Sequence, residues 1–244
     1  MLVKKISIPE KKIRVLYNGI NTLKEYDHSC HHKKNNLKFR IGFIGRLDSP
    51  KGVHVLIDAM HYLKNKNFEL VIAGNGILES LLRERASALN NVSFIGRVKN
   101  PYLFMSKIDL LVVPSIREPL GNVCLEAGLC RVPVLAANVD GLPEIIENKI
   151  SGELIDATEE ISINTVQGAI SLPEFVVNPV KGNLSAPKQI NPSILAKRIL
   201  KLSSQDDKLK YYSNELNKKV KNKFSIDRYR RELHKMYREI DIKG

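Results

Sequence analysis

The sequence predicts a doubly wound α/β fold built on a parallel sheet. From residue 37 onward, short apolar runs rich in Val and Ile alternate with amphipathic segments of helical length. The apolar runs are nearly continuous, as expected of strands whose two faces are both covered by helices. Repeated alternation of strand and helix favours parallel strands joined by right-handed crossovers. No run of 18 apolar residues occurs, so the sequence does not predict a membrane-spanning helix.

The strands and helices of this sheet domain are predicted over residues 37–155. Five strands are expected at FRIGFIG (39–45), FELVIAG (68–74), VSFIGRV (92–98), IDLLVVPS (108–115) and VPVLAAN (132–138). The intervening helices are expected at KGVHVLIDAMHYL (51–63), ILESLLRERASAL (77–89), PYLFMS (101–106), NVCLEAGL (122–129) and PEIIEN (143–148). Their apolar residues recur every three or four positions, which is the period of one helix face.

Three further segments flank or follow the sheet domain. Residues 1–36 resemble a linker, and the HSCHHKKNN stretch within them lacks the paired spacing of a zinc site. Residues 156–192 contain several prolines and only weak periodicity, which predicts an irregular, mobile insertion with at most a short helix or hairpin. Residues 193–244 predict consecutive amphipathic, basic helices that pack on the same domain.

The charge is strongly positive, with a formal net charge of +13. Residues 193–244 carry 15 Lys and Arg against 7 Asp and Glu. Such a surface can serve an anionic membrane, phosphorylated substrates or nucleic acid, or it can simply be a solvated helical surface. Without Trp or an aromatic-interleaved basic repeat, nucleic acid is not expected as a partner.

The cysteine count and the N-terminus bear on location. Three cysteines without framework spacing suit a reducing cytoplasm. The first residues lack the apolar core of a signal peptide. The expected location is therefore cytoplasmic, with peripheral association at the inner membrane surface as an extension of it.

Unusual residues cluster where the predicted strands end. In an open parallel sheet, ligands bind beyond the carboxyl ends of the strands. At those ends stand, in chain order, Gly45, Arg46 and Lys51; Gly74 and Asn75; Gly96, Arg97 and Val98; Glu118; and Asn138, Asp140 and Gly141. Together with Glu126, they predict one crevice that holds glycines, the two cations Arg46 and Lys51, and the two acids Glu118 and Glu126.

The two cations suit a diphosphate. Arg46 follows a glycine turn, and Lys51 stands at the start of a predicted helix, where anions are favoured. Arg offers a planar fork to phosphate oxygens, and Lys offers a mobile point charge. Neither a G-x-x-x-x-G-K-[ST] loop nor a G-x-G-x-x-G motif is present, which argues against a P-loop nucleotidase and a dinucleotide dehydrogenase.

The two acids stand eight positions apart in the stretch REPLGNVCLEA (117–127). Pro119 and Gly121 favour a turn, and Asn122 is predicted to cap the helix that carries Glu126. In a continuous helix that spacing is about 12 Å between α-carbons. Paired glycosidase carboxylates act roughly 5–10 Å apart, so Glu118 and Glu126 instead suit two different polyols, with a phosphate near the helix start between them.

These motifs resemble those of retaining GT-B glycosyltransferases of family 4. The E-x7-E pair at Glu118 and Glu126 follows VVPSIRE, as in that family, and FIGRLDSPKG (43–52), LVIAGNG (70–76) and VSFIGRV (92–98) match its order and spacing. The resemblance covers about residues 37–155. It implies a Rossmann-like sheet, the C-terminal, donor-binding half of a GT-B fold, and YNGINT (17–22) is similar to the end of the family's interdomain linker.

Carried over by position, the resemblance implies a site for a nucleotide diphosphate sugar. Arg46 and Lys51 would hold the diphosphate, and with Glu118 they form the expected catalytic set. Glu118 would contact the transferred sugar, Glu126 the ribose, and the backbone of Gly96 to Val98 the base. The remaining expected donor contacts are Gly45, Gly74, Asn75, Leu120, Gly121, Asn122 and Val123.

The sequence departs from the family at two places near the acids. Many members read EGFG where this chain has Glu118-Pro119-Leu120-Gly121, so Pro119 removes one backbone donor. Asp140-Gly141 replaces a common Gly-Gly pair, which leaves the sugar preference open.

The expected function is retaining sugar transfer from the nucleotide sugar to a glycan or lipid-linked acceptor in surface polysaccharide or lipopolysaccharide synthesis. No cofactor and no metal are expected, since no D-x-D motif occurs. The family's acceptor domain would precede YNGINT, so the isolated chain is expected to need that domain, for example as a separate subunit. The alternative is a non-catalytic nucleotide-sugar-binding subunit or a truncated remnant.

Overall fold

A six-stranded parallel sheet forms the centre of the chain. The computed structural model describes residues 7–22, 38–64, 67–163, 166–179 and 182–241. The strands are β1 (Phe39–Ile44), β2 (Phe68–Ala73), β3 (Val92–Gly96), β4 (Leu110–Val113), β5 (Val134–Ala137) and β6 (Glu153–Ile155). Their order is β3-β2-β1-β4-β5-β6, and every neighbouring pair is parallel. The predicted doubly wound α/β fold is confirmed.

Eight α-helices accompany the strands in the described residues. They are α1 (Val53–His61), α2 (Glu79–Arg85), α3 (Pro101–Met105), α4 (Asn122–Leu129), α5 (Leu142–Ile145), α6 (Pro192–Ser203), α7 (Asp206–Lys223) and α8 (Ile226–Asp241). Helix α1 packs on α2 and α6, whereas α4 and α5 pack on α7. These two groups follow from right-handed crossovers on either side of a sheet whose strand order reverses between β1 and β4.

The five strands predicted from apolar runs are all present, with shorter bounds. Strands β4 and β5 are each buried at all four of their positions. Strand β6 was not predicted. It has three residues at the sheet edge, which is too short a segment to show a period of its own.

The described residues between 156 and 192 contain little regular structure, but some of them are packed tightly. Within them β7 (Val176–Asn178) and β8 (Asn183–Ser185) form an antiparallel hairpin. Gln189 is buried, and its Oε1 lies 2.8 Å from Nε2 of buried His54 on α1. Burial lowers the pKa of His54. The predicted mobility of the insertion stays a prediction.

The C-terminal helices anchor to the sheet edge and to the N-terminal segment. Helix α7 packs on α4, and Tyr212 of α7 donates a hydrogen bond to Glu153 of β6. Ile20 pairs with Ser225 at the start of α8. Within the described part of the chain, no helix combines the length and apolarity that a membrane crossing needs. The HSCHHKKNN stretch (28–36) lies outside the described residues.

Candidate functional site

A cavity opens at the point where the strand order reverses. Ligands of open α/β sheets bind at this point, beyond the carboxyl ends of the strands. The cavity has a volume of about 370 Å³. It is lined by Asn18, Ile44, Gly45, Arg46, Lys51, Val113, Ser115, Glu118, Pro119, Leu120, Gly121, Asn122 and Val123. Residues at the ends of β1 and β4 and in the loops after them thus line one cavity.

The turn before α1 brings Lys51 to the loop after β4. Ser49–Lys51 form a single 3-10 turn, which Gly52 ends with a left-handed φ of 65°. A Cβ on Gly52 would lie 2.1 Å from the carbonyl oxygen of Pro114, so only glycine allows this approach. The close packing of these two backbones places the Lys51 side chain over the loop that carries Glu118.

Lys51 and Glu118 form an ion pair inside the cavity. Nζ of Lys51 lies 2.6 Å from Oε2 of Glu118, and the hydroxyl of Ser115 donates to the same oxygen at 3.4 Å. The Glu118 side chain is only 11% exposed. Among the described residues, none donates a hydrogen bond to Oε1 of Glu118. One carboxylate oxygen is therefore available to a ligand in the cavity.

Arg46 has an acidic partner as well. Its Nε lies 3.3 Å from Oδ2 of Asp48, while the Arg46 side chain is 67% exposed. Asp48 is buried, and neither of its carboxylate oxygens accepts a hydrogen bond from the described residues. Burial raises the pKa of Asp48, and the charges of Arg46 and Lys51 oppose that shift. The two predicted cations are thus each matched by one acid.

The start of α4 differs from the prediction. Gly121, with a φ of 94°, occupies the cap position, and Asn122 is the first helical residue. The prediction that Asn122 caps α4 is wrong. Its side-chain oxygen instead accepts a hydrogen bond of 3.2 Å from Nδ2 of Asn18.

Glu126 lies one turn into α4, as predicted, but in an adjoining cavity. That cavity measures about 300 Å³ and is lined by Asn18, Gly19, Ile20, Tyr102, Asn122, Leu125, Glu126, Ile226 and Tyr229. Asn18 and Asn122 line both cavities, so the two cavities adjoin each other. Burial raises the pKa of Glu126.

The expected contacts after β2 and β3 lie at the same sheet end but line neither of these two cavities. They are Gly74, Asn75, Gly96, Arg97 and Val98. The amide of Gly74 donates to the carbonyl of Gly96, and the amide of Leu47 donates to Asn75. These bonds hold the turns after β1, β2 and β3 side by side.

Sequence reasoning missed two residues of the site, Asp48 and Asn18. It also missed the contact that Asp140 makes with Glu118. Asp48 had a local signal, since it stands between the two predicted cations. Asp140 accepts a hydrogen bond of 3.1 Å from the amide of Glu118. Asn18 joins the site through tertiary contact alone, over 104 positions of chain.

The strand order and the place of the cavity are those of a Rossmann-like α/β protein. The chain belongs to the family described as glycosyl transferases group 1, whose family model matches residues 27–167. The predicted resemblance is confirmed at this level. The narrower assignment to family 4 and the retaining mechanism stay predictions.

Individual relatives agree with this family. The chain is 34% identical over 192 residues to an uncharacterized glycosyltransferase of Methanocaldococcus jannaschii, covering 71% of this chain and 49% of that protein. It is 28% identical over 213 residues to the capsular polysaccharide biosynthesis glycosyltransferase CapM of Staphylococcus aureus, covering 85% of this chain and 48% of CapM. The chain thus spans about half the length of the curated relatives it matches.

A solved structure shows the same fold. Anabaena Alr3699/HepE, in a crystal structure with UDP-glucose, superposes with a TM-score of 0.71 and 20% identity. The match covers 95% of this chain and 58% of HepE.

Proposed function

We propose that the chain is the donor-binding part of a retaining, metal-independent glycosyltransferase that uses a nucleotide diphosphate sugar. The observation that carries the proposal is the Lys51–Glu118 ion pair, which lies in a cavity at the reversal of strand order in a group 1 chain. Its neighbours Arg46 and Asp48 complete a balanced set of two cations and two acids. The similarity to CapM supports a role in surface polysaccharide synthesis, with lipopolysaccharide as the other polymer of this kind.

The diphosphate takes the place of Glu118 as the partner of Lys51. Phosphate oxygens and the Glu118 carboxylate compete for the same ammonium group of Lys51, because both are strong charge-assisted acceptors. When the diphosphate enters, Lys51 turns toward it, and the largely exposed Arg46 side chain closes on it from the cavity rim. These two positive charges offset the charge that develops on the leaving diphosphate.

The same exchange prepares the sugar subsite. Once Lys51 binds phosphate, both oxygens of Glu118 can accept hydrogen bonds from sugar hydroxyls. Leu120, Gly121, Asn122 and Val123 form the cavity wall beside Glu118, and their backbone amides would be the donors there. Pro119 has no amide hydrogen, so the donors on this wall begin at Leu120.

The nucleoside occupies the adjoining cavity and the strand ends beyond it. Glu126 lines that cavity and would accept hydrogen bonds from the ribose hydroxyls. The base would lie against the backbone of Gly96 to Val98, at the end of β3. The UDP-glucose bound to HepE supports this class of ligand for the fold.

Transfer needs an acceptor as well as this donor site. The family resemblance implies acceptor-binding groups on a second domain, in the same polypeptide or on a separate subunit. The alternative function, a non-catalytic nucleotide-sugar-binding subunit or a remnant, has the same donor contacts and differs only in forming no glycan product.

Binding of nucleotide sugars tests the proposal. Thermal shift measurements with UDP, GDP, ADP and TDP, each with and without a linked hexose, should identify at least one stabilising pair. The Glu126→Ala variant should weaken both members of that pair, because the same nucleoside pentose, ribose or the deoxyribose of TDP, is common to them. The charge-matched control is Glu84→Ala on α2, which should bind like wild type. Absence of binding to every nucleotide by the wild-type chain would contradict the proposal.

A further inference from the structure

The backbone of Glu118 is held at both of its polar groups by the pair Asp140-Gly141. The amide of Glu118 donates to Oδ2 of Asp140 at 3.1 Å, and the amide of Gly141 donates to the carbonyl of Glu118 at 3.1 Å. A Cβ on Gly141 would lie 2.1 Å from the carbonyl oxygen of Pro119, so the two loops are in direct backbone contact. The position of Glu118 in the cavity therefore depends on this second loop.

Asp140 also holds the β7–β8 hairpin. Its Oδ1 accepts a hydrogen bond of 2.8 Å from the amide of Val177, and its own amide donates to the carbonyl of Val177 at 3.1 Å. The two carboxylate oxygens of one side chain thus join the hairpin to the loop that carries Glu118. A cavity of about 180 Å³ lies between them, bordered by Pro119, Phe175 and Val177.

Asp140 makes these contacts from a costly backbone conformation. Its φ is 48°, in the left-handed region that glycine adopts freely. A glycine here would remove that cost but would also remove both acceptors. In this conformation the Asp140 carboxylate accepts two hydrogen bonds, both of them charge-assisted, and these offset the cost of the left-handed φ.

We propose that Asp140 is a positioning residue that fixes the Glu118 backbone and couples it to the β7–β8 hairpin, so that the hairpin influences how the sugar is held. Asp140 acts through Glu118 and does not itself line the cavity at the strand reversal. The inference rests on the proposed function for its consequence in binding, but the coupling of the two segments is a property of the chain alone.

The coupling is tested first without ligand, by amide hydrogen exchange followed by NMR. In the Asp140→Gly variant the amides of Glu118 and Val177 should exchange at least about tenfold faster, since both lose their acceptor. Asp140→Asn keeps one carbonyl oxygen, so one of the two amides should stay protected. The matched control is Lys149→Gly, which relieves a φ of 65° elsewhere and should leave both amides as in wild type.

The consequence is tested by calorimetry with UDP-glucose and UDP. The ratio of their affinities should fall about five- to tenfold in Asp140→Gly, less in Asp140→Asn and not at all in Lys149→Gly, because the sugar binds Glu118 directly, whereas UDP meets Glu118 only through the competition for Lys51. A merely structural role would weaken both ligands equally. Unchanged exchange at Glu118 and Val177, or an unchanged affinity ratio where wild type binds UDP-glucose, would overturn the inference. If wild type binds neither compound, the proposal that the chain binds a uridine nucleotide sugar fails. The amide exchange rates then test the coupling between Glu118 and the hairpin by themselves.

Discussion

Two buried glutamates, at opposite ends of the sheet, show how similar chemistry serves different purposes. Glu153 begins β6 at the amino end and contacts Lys208 at 2.9 Å, Arg198 at 3.1 Å and the Tyr212 hydroxyl at 3.0 Å. Glu118 follows β4 at the carboxyl end, and only its Oε2 has partners in the described residues. Glu153 is saturated by helices that it anchors, whereas Glu118 keeps an oxygen free beside a cavity. Burial of a charge alone does not mark a ligand site. The unfilled acceptor of Glu118 at the strand reversal is what supports the proposed site there.

The largest expected effect concerns stability at the amino end. Glu153→Gln leaves two cations and a buried hydroxyl with a weaker acceptor. The free energy of unfolding should fall by about 2–3 kcal/mol, less than for a fully buried pair because both cations are about one-third exposed. Urea denaturation at pH 7 measures this. Binding of the nucleotide sugar should be unchanged. A loss of binding would contradict the assignment of stability to the amino end of the sheet and ligand binding to the carboxyl end.

The pH dependence of stability sharpens the same point. Burial by itself would raise the pKa of Glu153, but the hydrogen bonds from Lys208 and Tyr212 and the charge of Arg198 outweigh it, so the pKa is lowered. The stabilisation by Glu153 is therefore complete above its unfolded pKa, about 4.3, and is lost as the pH falls through the lower folded value. Wild type and Glu153→Gln should converge in stability over that range. A difference that stays constant down to the acid end would contradict this account.

The next effect concerns ligand binding at the carboxyl end. Lys51→Ala removes the cation that pairs with Glu118 and that we propose turns to the diphosphate. Calorimetry should show UDP binding weaker by about 2 kcal/mol, roughly thirtyfold in Kd. Binding of free uridine should be spared, since it carries no phosphate. The control Lys221→Ala removes an exposed lysine of α7 and should leave both affinities unchanged.

The smallest expected effect concerns a second role of the C-terminal helices, in membrane binding as well as in the stability of the fold. Because residues 193–244 carry most of the excess positive charge, we expect the chain to bind vesicles that contain anionic lipid. Each basic residue near such a surface contributes about 1 kcal/mol, which salt weakens. Replacing Arg231, Lys235 and Arg238, all exposed on α8, by Gln should reduce co-sedimentation.

A matched triple variant tests whether vesicle binding depends on α8 in particular or only on the net charge. Lys38, Lys64 and Lys99 are exposed on the sheet domain, and their replacement by Gln changes the net charge equally. It should reduce vesicle binding less. Equal losses in both triple variants, or equal binding to neutral vesicles, would show that α8 has no specific role at a membrane.

The sequence allowed the prediction of elements with a long local signal. The strands β1 to β5 were visible as apolar runs, and the cations and acids of the site followed from the rule that ligands meet the carboxyl ends of strands. Strand β6 was missed because three edge residues carry no pattern, and the Asn122 cap was wrong because Gly121 already turns the chain. The pairing of Lys51 with Glu118 over 67 positions is a tertiary contact that no local pattern encodes.

The most direct test of the proposed donor site is Glu118→Gln, titrated with UDP and with UDP-glucose. The Lys51 ammonium would lose its competing carboxylate, so UDP alone should bind about two- to fivefold tighter than to wild type. UDP-glucose should bind weaker, because a neutral amide accepts the sugar hydroxyls less strongly. Opposite changes for the two ligands would support the exchange of Lys51 between Glu118 and the diphosphate. Unchanged or parallel affinities for both ligands would contradict it.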